Sequence, residues 1–120
     1  MRTSAPPPDR MREGDVTGSE SDLAANFGIH LRALCQRAVS ECGYRPSYFL
    51  QMLDQLGGLG AARALLNAAK PAAGLTTLWE KRRLDLSVEA AVLQAPWSVL
   101  FTPGEQATAR KRLRDLGYQA

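Results

Sequence analysis

Histidine occurs once in this 120-residue chain and cysteine twice, and aromatic side chains make up only 7% of it. One histidine leaves little room for proton-transfer or nucleophilic chemistry, which needs a base oriented by a carboxylate or paired with Ser or Cys. His30 and Cys35 are five positions apart on one helical segment, about 140° around its axis, so they do not face each other. One His and two Cys without metal-ligand spacing also fall short of a tetrahedral zinc site. Cys35 and Cys42 are separated by roughly 10 Å of helix rise, too far for a bridge, and read as reduced core residues. No apolar run approaches the ~18 residues of a membrane helix, and Met1–Ser19 lacks the apolar core of a secretory signal. The expectation is a cytoplasmic protein with no cofactor and no membrane contact.

Strand patterning is also missing, while Leu and Ala are plentiful within a hydrophobic content of 45%. That balance predicts helix-on-helix packing. Met1–Ser19 is rich in Pro, Ser, Gly and charge, with almost nothing to bury, and is expected to be a disordered tail; Met11 offers a second possible start. A first helix is predicted from a Ser21 cap, with Leu23, Phe27, Leu31, Leu34 and Ala38 forming one apolar stripe and Gly43 ending it. Ser47 caps a second over Tyr48–Leu56, with Phe49, Leu50, Leu53 and Leu56 facing inward. Gly57-Gly58-Leu59-Gly60 breaks the chain before a third helix over Ala61–Ala69. Thr77 and Glu80 have capping-box spacing for a short helix through Arg83, and Ser87 caps Val88–Gln94 ahead of Pro96. A helical turn over Trp97–Phe101 follows. Thr102-Pro103-Gly104-Glu105 is the clearest start signal, for a last helix that reaches Leu116 and stops at Gly117.

Charge is placed unevenly. Residues 1–22 hold three basic and five acidic side chains, whereas 23–120 hold twelve basic and seven acidic, so the part expected to fold carries +5. Arg110, Lys111 and Arg114 share one arc of the last helix, and Lys81, Arg82 and Arg83 cluster at the end of the short one. Such runs can line a phosphate backbone. Cations near helix C-termini are also favoured by the helix dipole alone, and a solvated face explains them as well. Glu80, Glu89 and Glu105 sit at inferred helix starts, where negative charge stabilises the first turn. Trp79, Trp97, Phe101, Tyr44 and Tyr118 lie among aliphatics and read as core anchors.

Two resemblances add to this. Leu53–Leu66 resembles the helix-hairpin-helix motif, with Gly58-Leu59-Gly60 as the hairpin; in that motif small residues let the backbone approach a DNA phosphate, and the amides opening the next helix bond it. Arg63 would flank that contact. The same glycines also suit an ordinary tight helix–helix turn. Tyr44 to Tyr118 resembles a small uncharacterised bacterial all-helical family, through Tyr44, Pro46 and Phe49, then Gly57-Gly58, Ala61-Ala62 and Leu65-Leu66. Gly74–Glu80, Arg83–Glu89, Trp97 with Leu100–Thr102, and Leu113–Tyr118 continue it. That resemblance implies a helical domain without a settled activity, found alone or beside nucleic-acid-processing domains.

The expectation is therefore all-α: a disordered tail over 1–19 and one compact bundle of five or six short helices over 20–118. Its function is expected to be that of a non-catalytic accessory module binding nucleic-acid backbone non-specifically. Gly58, Gly60, Arg63, Lys81, Arg82, Arg83, Arg110, Lys111 and Arg114 are its candidate contacts. The alternative is a protein–protein interaction module, an adaptor or small subunit of a larger assembly, using apolar surface around Leu75, Leu78 and Leu86.

Overall fold

Thr102 and Ser87 cap helices, and Gly43 and Gly117 end them, where the sequence places these signals. The computed structural model describes residues 15–118, with side-chain surroundings from residue 22 onward. Five α-helices lie among the described residues, with no strand: α1 (Asp15–Cys42), α2 (Ser47–Leu66), α3 (Ala73–Glu80), α4 (Val88–Val92) and α5 (Pro103–Asp115). Single 3-10 turns at Leu84–Leu86 and Trp97–Leu100 join α3 to α4 and α4 to α5. The tail expected over 1–19 falls outside the described residues as far as 14. α1 begins at Asp15, ahead of the Ser21 expected as its cap.

The predicted stripe is the one buried: Phe27, Leu31, Leu34 and Ala38 are all nearly inaccessible, with Cys35 beside them. Gly43, at φ 67°, ends α1, and the Val39 and Ala38 carbonyls accept bonds from Gly43 and Tyr44. α5 starts with the full capping box: the Thr102 hydroxyl accepts from the Glu105 N–H at 3.1 Å, and Glu105 accepts from the Thr102 N–H at 3.0 Å. It ends with Gly117 at φ 82° and a bond from the Tyr118 N–H to the Leu113 carbonyl, a Schellman closure. Ser87 caps α4 through the Ala90 N–H.

Other starts also differ from expectation: Ser47 does not cap α2, whose cap position is Pro46 without a side-chain bond. Thr77 is not a cap: α3 begins at Ala73, just after Pro71 and the extended Ala72, and the Thr77 hydroxyl donates back to the Ala73 carbonyl. The break in α2 is a single residue. Gly57 alone takes φ 75°, ψ 174°, a conformation close to Gly-only, and helical geometry resumes at Gly58 and runs through Gly60. No Gly58-Leu59-Gly60 hairpin forms. The kink also turns Leu56 outward, half exposed rather than in the core.

The kink lets the second half of α2 lie against α1, the most extensive helix pair of the fold. The two backbones meet at Gly28 and Gly58. A Cβ on Gly58 would stand 2.7 Å from the Gly28 nitrogen, and nearer still to its Cα, whereas a Cβ on Gly28 would meet Gly58 at an ordinary 3.5 Å. Phe27 lies between Trp97, tilted against it, and Phe101, met edge-on, with ring centroids 5.5 Å away in both cases, and holds the second 3-10 turn against α1.

This asymmetry gives an expected outcome. Gly58→Ala should lower unfolding free energy by about 1–3 kcal/mol, because backbone must move. Gly28→Ala should leave it unchanged or raise it by up to about 1 kcal/mol through helix propensity. Urea unfolding of the two variants checks both; equal effects would contradict the close approach.

Candidate functional site

The cations expected to converge are spread over several local arrangements. Arg63 Nε donates to Glu105 Oε2 at 2.9 Å, and Asn67 bonds the same oxygen. Burial acts to raise the Glu105 carboxyl, but the Thr102 N–H, Arg63 and Asn67 outweigh it and hold it below its usual range. Arg83 reaches Glu41 at 2.8 Å and Asp85 at 3.0 Å, so it ties α1 to the first 3-10 turn. Lys111 pairs with Asp115 one turn on. Among the described residues, Lys81, Arg82, Arg110 and Arg114 make no ion pair. The Gly58 backbone is occupied by Gly28 of α1, which covers the position where a phosphate would have to approach. Gly60 sits inside the helix beside Leu56.

One cation of these runs, Arg82, borders a cleft. The C-terminal ends of α3 and α5 meet across about 590 Å³, lined by Trp79, Glu80, Arg82, Leu116 and Tyr118. Trp79 is 45% exposed here, so it is a cleft wall and not the core anchor the aliphatic neighbours suggest. Two helix C-termini converge on this cleft, and their carbonyl ends oppose an anion.

A second recess lies on another part of the bundle, between the end of α1, the start of α2, α3 and α4. Its volume is about 180 Å³, and its walls include Phe49, Leu75, Leu78 and Leu86, with Tyr48 and Glu89 also lining it. The three leucines expected to be exposed are buried, at 4%, 6% and 4%; what they offer is the inner surface of this recess. Tyr48 stands 72% exposed, one of several large apolar side chains left in solvent, Ile29 and Val99 among them. Tyr44 borders the recess with its hydroxyl against α3: a Cβ on Gly74 would lie 2.5 Å from the Tyr44 oxygen.

The polar end of the recess was not foreseen. Glu89 is 2% exposed and Arg112 8%. The Arg112 guanidinium donates to the carbonyls of Leu65 at 3.0 Å and Ala68 at 2.8 Å, which closes the C-terminal end of α2. Its Nη1 stands 3.7 Å from Glu89 Oε2, an ion-pair distance but not a hydrogen bond. Glu89 Oε2 has no hydrogen-bond partner, and burial pushes its carboxyl above the usual range. Reading Glu89 only as first-turn charge, and Arg110, Lys111 and Arg114 only as a solvent arc, passes over this pair. The available signal is that Arg112 falls on the Ala109–Leu113–Leu116 face of α5.

His30 packs flat on Trp97, with centroids 5.2 Å apart and planes 24° apart, and its Nε2 is buried without a partner. Cys35 is buried and its thiol is pushed up to about 11, which removes the thiolate needed for nucleophilic work. Among the described residues no group of three His, Cys, Asp or Glu could hold a metal ion, and no helix is long and apolar enough to cross a membrane.

Two outcomes follow from these buried groups. Arg112→Met leaves two helix-end carbonyls and a buried carboxylate without their cation, and should cost about 3–5 kcal/mol in urea unfolding. Burial, with Arg37 adding repulsion, lowers the pKa of His30 from 6.5, so the fold favours the neutral ring. The His30 contribution is then complete above pH 6.5 and is lost as pH falls below it. His30→Phe should flatten the fall in unfolding free energy between pH 7 and 5; an unchanged slope would place the titration elsewhere. No family model, curated protein or solved structure matches this chain.

Proposed function

We propose that this chain is a non-catalytic protein-interaction module that holds its partner at the recess bordered by Tyr48. The observation that carries the reading is the pairing of a solvent-exposed tyrosine with an apolar pocket floored by Leu75, Leu78 and Leu86. Protein interfaces are enriched in tyrosine, and their binding energy concentrates where one anchor side chain fills a desolvated pocket. A pocket of this size fits an anchor better than it fits a substrate with room for chemistry. The surrounding elements are rigidly placed by Ser87, Arg112 and the Gly28–Gly58 contact, so a partner meets a preformed surface and little ordering is required.

Non-specific nucleic-acid binding is the second reading, and it rests on the other cleft. Trp79 is exposed beside Arg82, with Tyr118 across from it, an arrangement that suits stacking of an unpaired base. It draws on Arg82, the one cation of the cleft lining, and no longer on the glycine kink. The helix ends that face the cleft make it the weaker of the two.

The readings separate experimentally. A photo-crosslinking residue at position 48 should trap one discrete protein in the native cells, and the same residue at position 110 should not. Tyr48→Glu should then weaken binding to that purified partner by about 2 kcal/mol, roughly thirtyfold. Charge reversal at Arg82 and Arg114 should leave it unchanged. Equal partner affinity of Tyr48→Glu and wild type, together with salt-sensitive binding of single-stranded DNA lost on charge reversal, would favour the second reading.

A further inference from the structure

A strained residue stands at the cleft between the ends of α3 and α5. α3 closes as α5 does: the Arg83 N–H donates to the Leu78 carbonyl at 2.8 Å and the Arg82 N–H to that of Trp79 at 3.0 Å. This closure puts the residue after the cap in the left-handed region, where α5 has Gly117 and α3 has Arg82, at φ 60°. No other non-glycine among the described residues takes positive φ. A glycine at 82 would relieve the strain; what it would remove is the one guanidinium of the cleft lining. That lining offers flat rings and idle donors. Trp79 carries an indole N–H, Tyr118 a phenol O–H and Arg82 a guanidinium, and among the described residues none of these side chains makes a hydrogen bond. Glu80, the one carboxylate of the lining, makes no ion pair among them. The volume, about 590 Å³, is that of a ligand site.

An anion meets two helix C-termini here, and a purely apolar ligand leaves the donors unused. A proline run is neutral, lays flat rings on aromatic faces, and presents carbonyls that no N–H of its own satisfies. Proline-rich segments dock in aromatic-lined grooves for these reasons. The chain contains such a run: Pro6-Pro7-Pro8, followed by Arg10 and Arg12, cations that suit Glu80 and the helix carbonyl ends. Its own cleft is out of reach. Arg83, next to Arg82, holds Glu41 at 2.8 Å, so the cleft lies by the end of α1. Asp15 stands about 39 Å from Glu41 along that helix. From Pro8 to Asp15 the chain covers at most about 25 Å when fully extended. We infer that the cleft takes the Pro6–Pro8 run of a second copy of this chain, with Arg82, Trp79 and Tyr118 donating to its carbonyls and Arg10 meeting Glu80. The contact is head-to-tail, and the Tyr48 recess plays no part in it.

The two indole N–H resonances test this on the full chain. As wild type is concentrated from the micromolar to the millimolar range, the Trp79 resonance should shift, while that of Trp97, packed on Phe27 and His30, stays fixed. Pro6→Ala, Pro7→Ala and Pro8→Ala together should abolish the shift. A peptide of residues 1–14, titrated into dilute wild type, should move the same resonance, and its triple-alanine form should bind about tenfold more weakly. Arg82→Gly should keep or raise the urea midpoint and weaken peptide binding at least threefold. Equal binding of the two peptides, or a Trp79 resonance that responds to neither, would overturn the inference. A Trp79 difference between wild type and the proline variant that persists unchanged on dilution would overturn it too, by placing the run in its own cleft. Because both peptides are measured on wild type, the comparison stands whether or not a variant folds.

Discussion

The position of the buried Arg112 guanidinium governs more of this molecule than any apolar contact. A helix leaves its last carbonyls unpaired. Arg112 reaches from α5 to the Leu65 carbonyl in the last turn of α2 and to the Ala68 carbonyl just beyond it, and stands beside Glu89 of α4. Three helices distant in sequence are thereby fixed through one planar group. A lysine could not serve in its place, because a single ammonium cannot span two carbonyls and a carboxylate with the geometry of a five-donor fork. The arrangement also explains why Glu89 tolerates near-complete burial: the neighbouring charge offsets part of its desolvation, although no bond closes on Oε2.

How much of this was legible depends on whether a residue's role is settled by its neighbours in sequence. The Thr102–Glu105 box, the Ser87 cap and the glycine stops at 43 and 117 are local chemistry, and each stands where the sequence places it. The buried stripe of α1 follows from spacing alone. Thr77 and Glu80 show the limit of such reasoning. Their spacing satisfies a capping box, but the Pro71–Ala72 extension upstream already starts a helix, so Thr77 is carried into its interior. The glycine cluster is a different failure. Gly57, Gly58 and Gly60 are equal candidates for the turn when only the sequence is considered. The choice is made thirty residues away, by Gly28, against which only a residue without a Cβ can lie, and the turn therefore moves to Gly57.

The same distinction runs through the functional residues. Cationic runs are visible in a sequence, but their partners are not: Glu105 takes Arg63, Glu41 and Asp85 take Arg83, and Asp115 takes Lys111. These are mostly exposed pairs of small individual worth, so they do not explain the stability of the fold. What they do is lower the positive charge at Arg63, Arg83 and Lys111, while Lys81, Arg82, Arg110 and Arg114 make no ion pair among the described residues.

The recess survives in a small protein because its walls are set by chain ends and turns, which cannot slide inward to fill it. Gly74 presents no side chain to the Tyr44 hydroxyl, so α3 and the α1–α2 connector approach closely on one side. Ser87 fixes the first turn of α4 on another, and Arg112 holds Glu89 at the inner end. Close packing elsewhere makes collapse expensive, since moving any one wall would break a cap or separate the Gly28–Gly58 crossing. The recess is therefore a property of the fold itself: an apolar space held open by its surroundings, with the exposed Tyr48 at its border and the buried Glu89 among its lining.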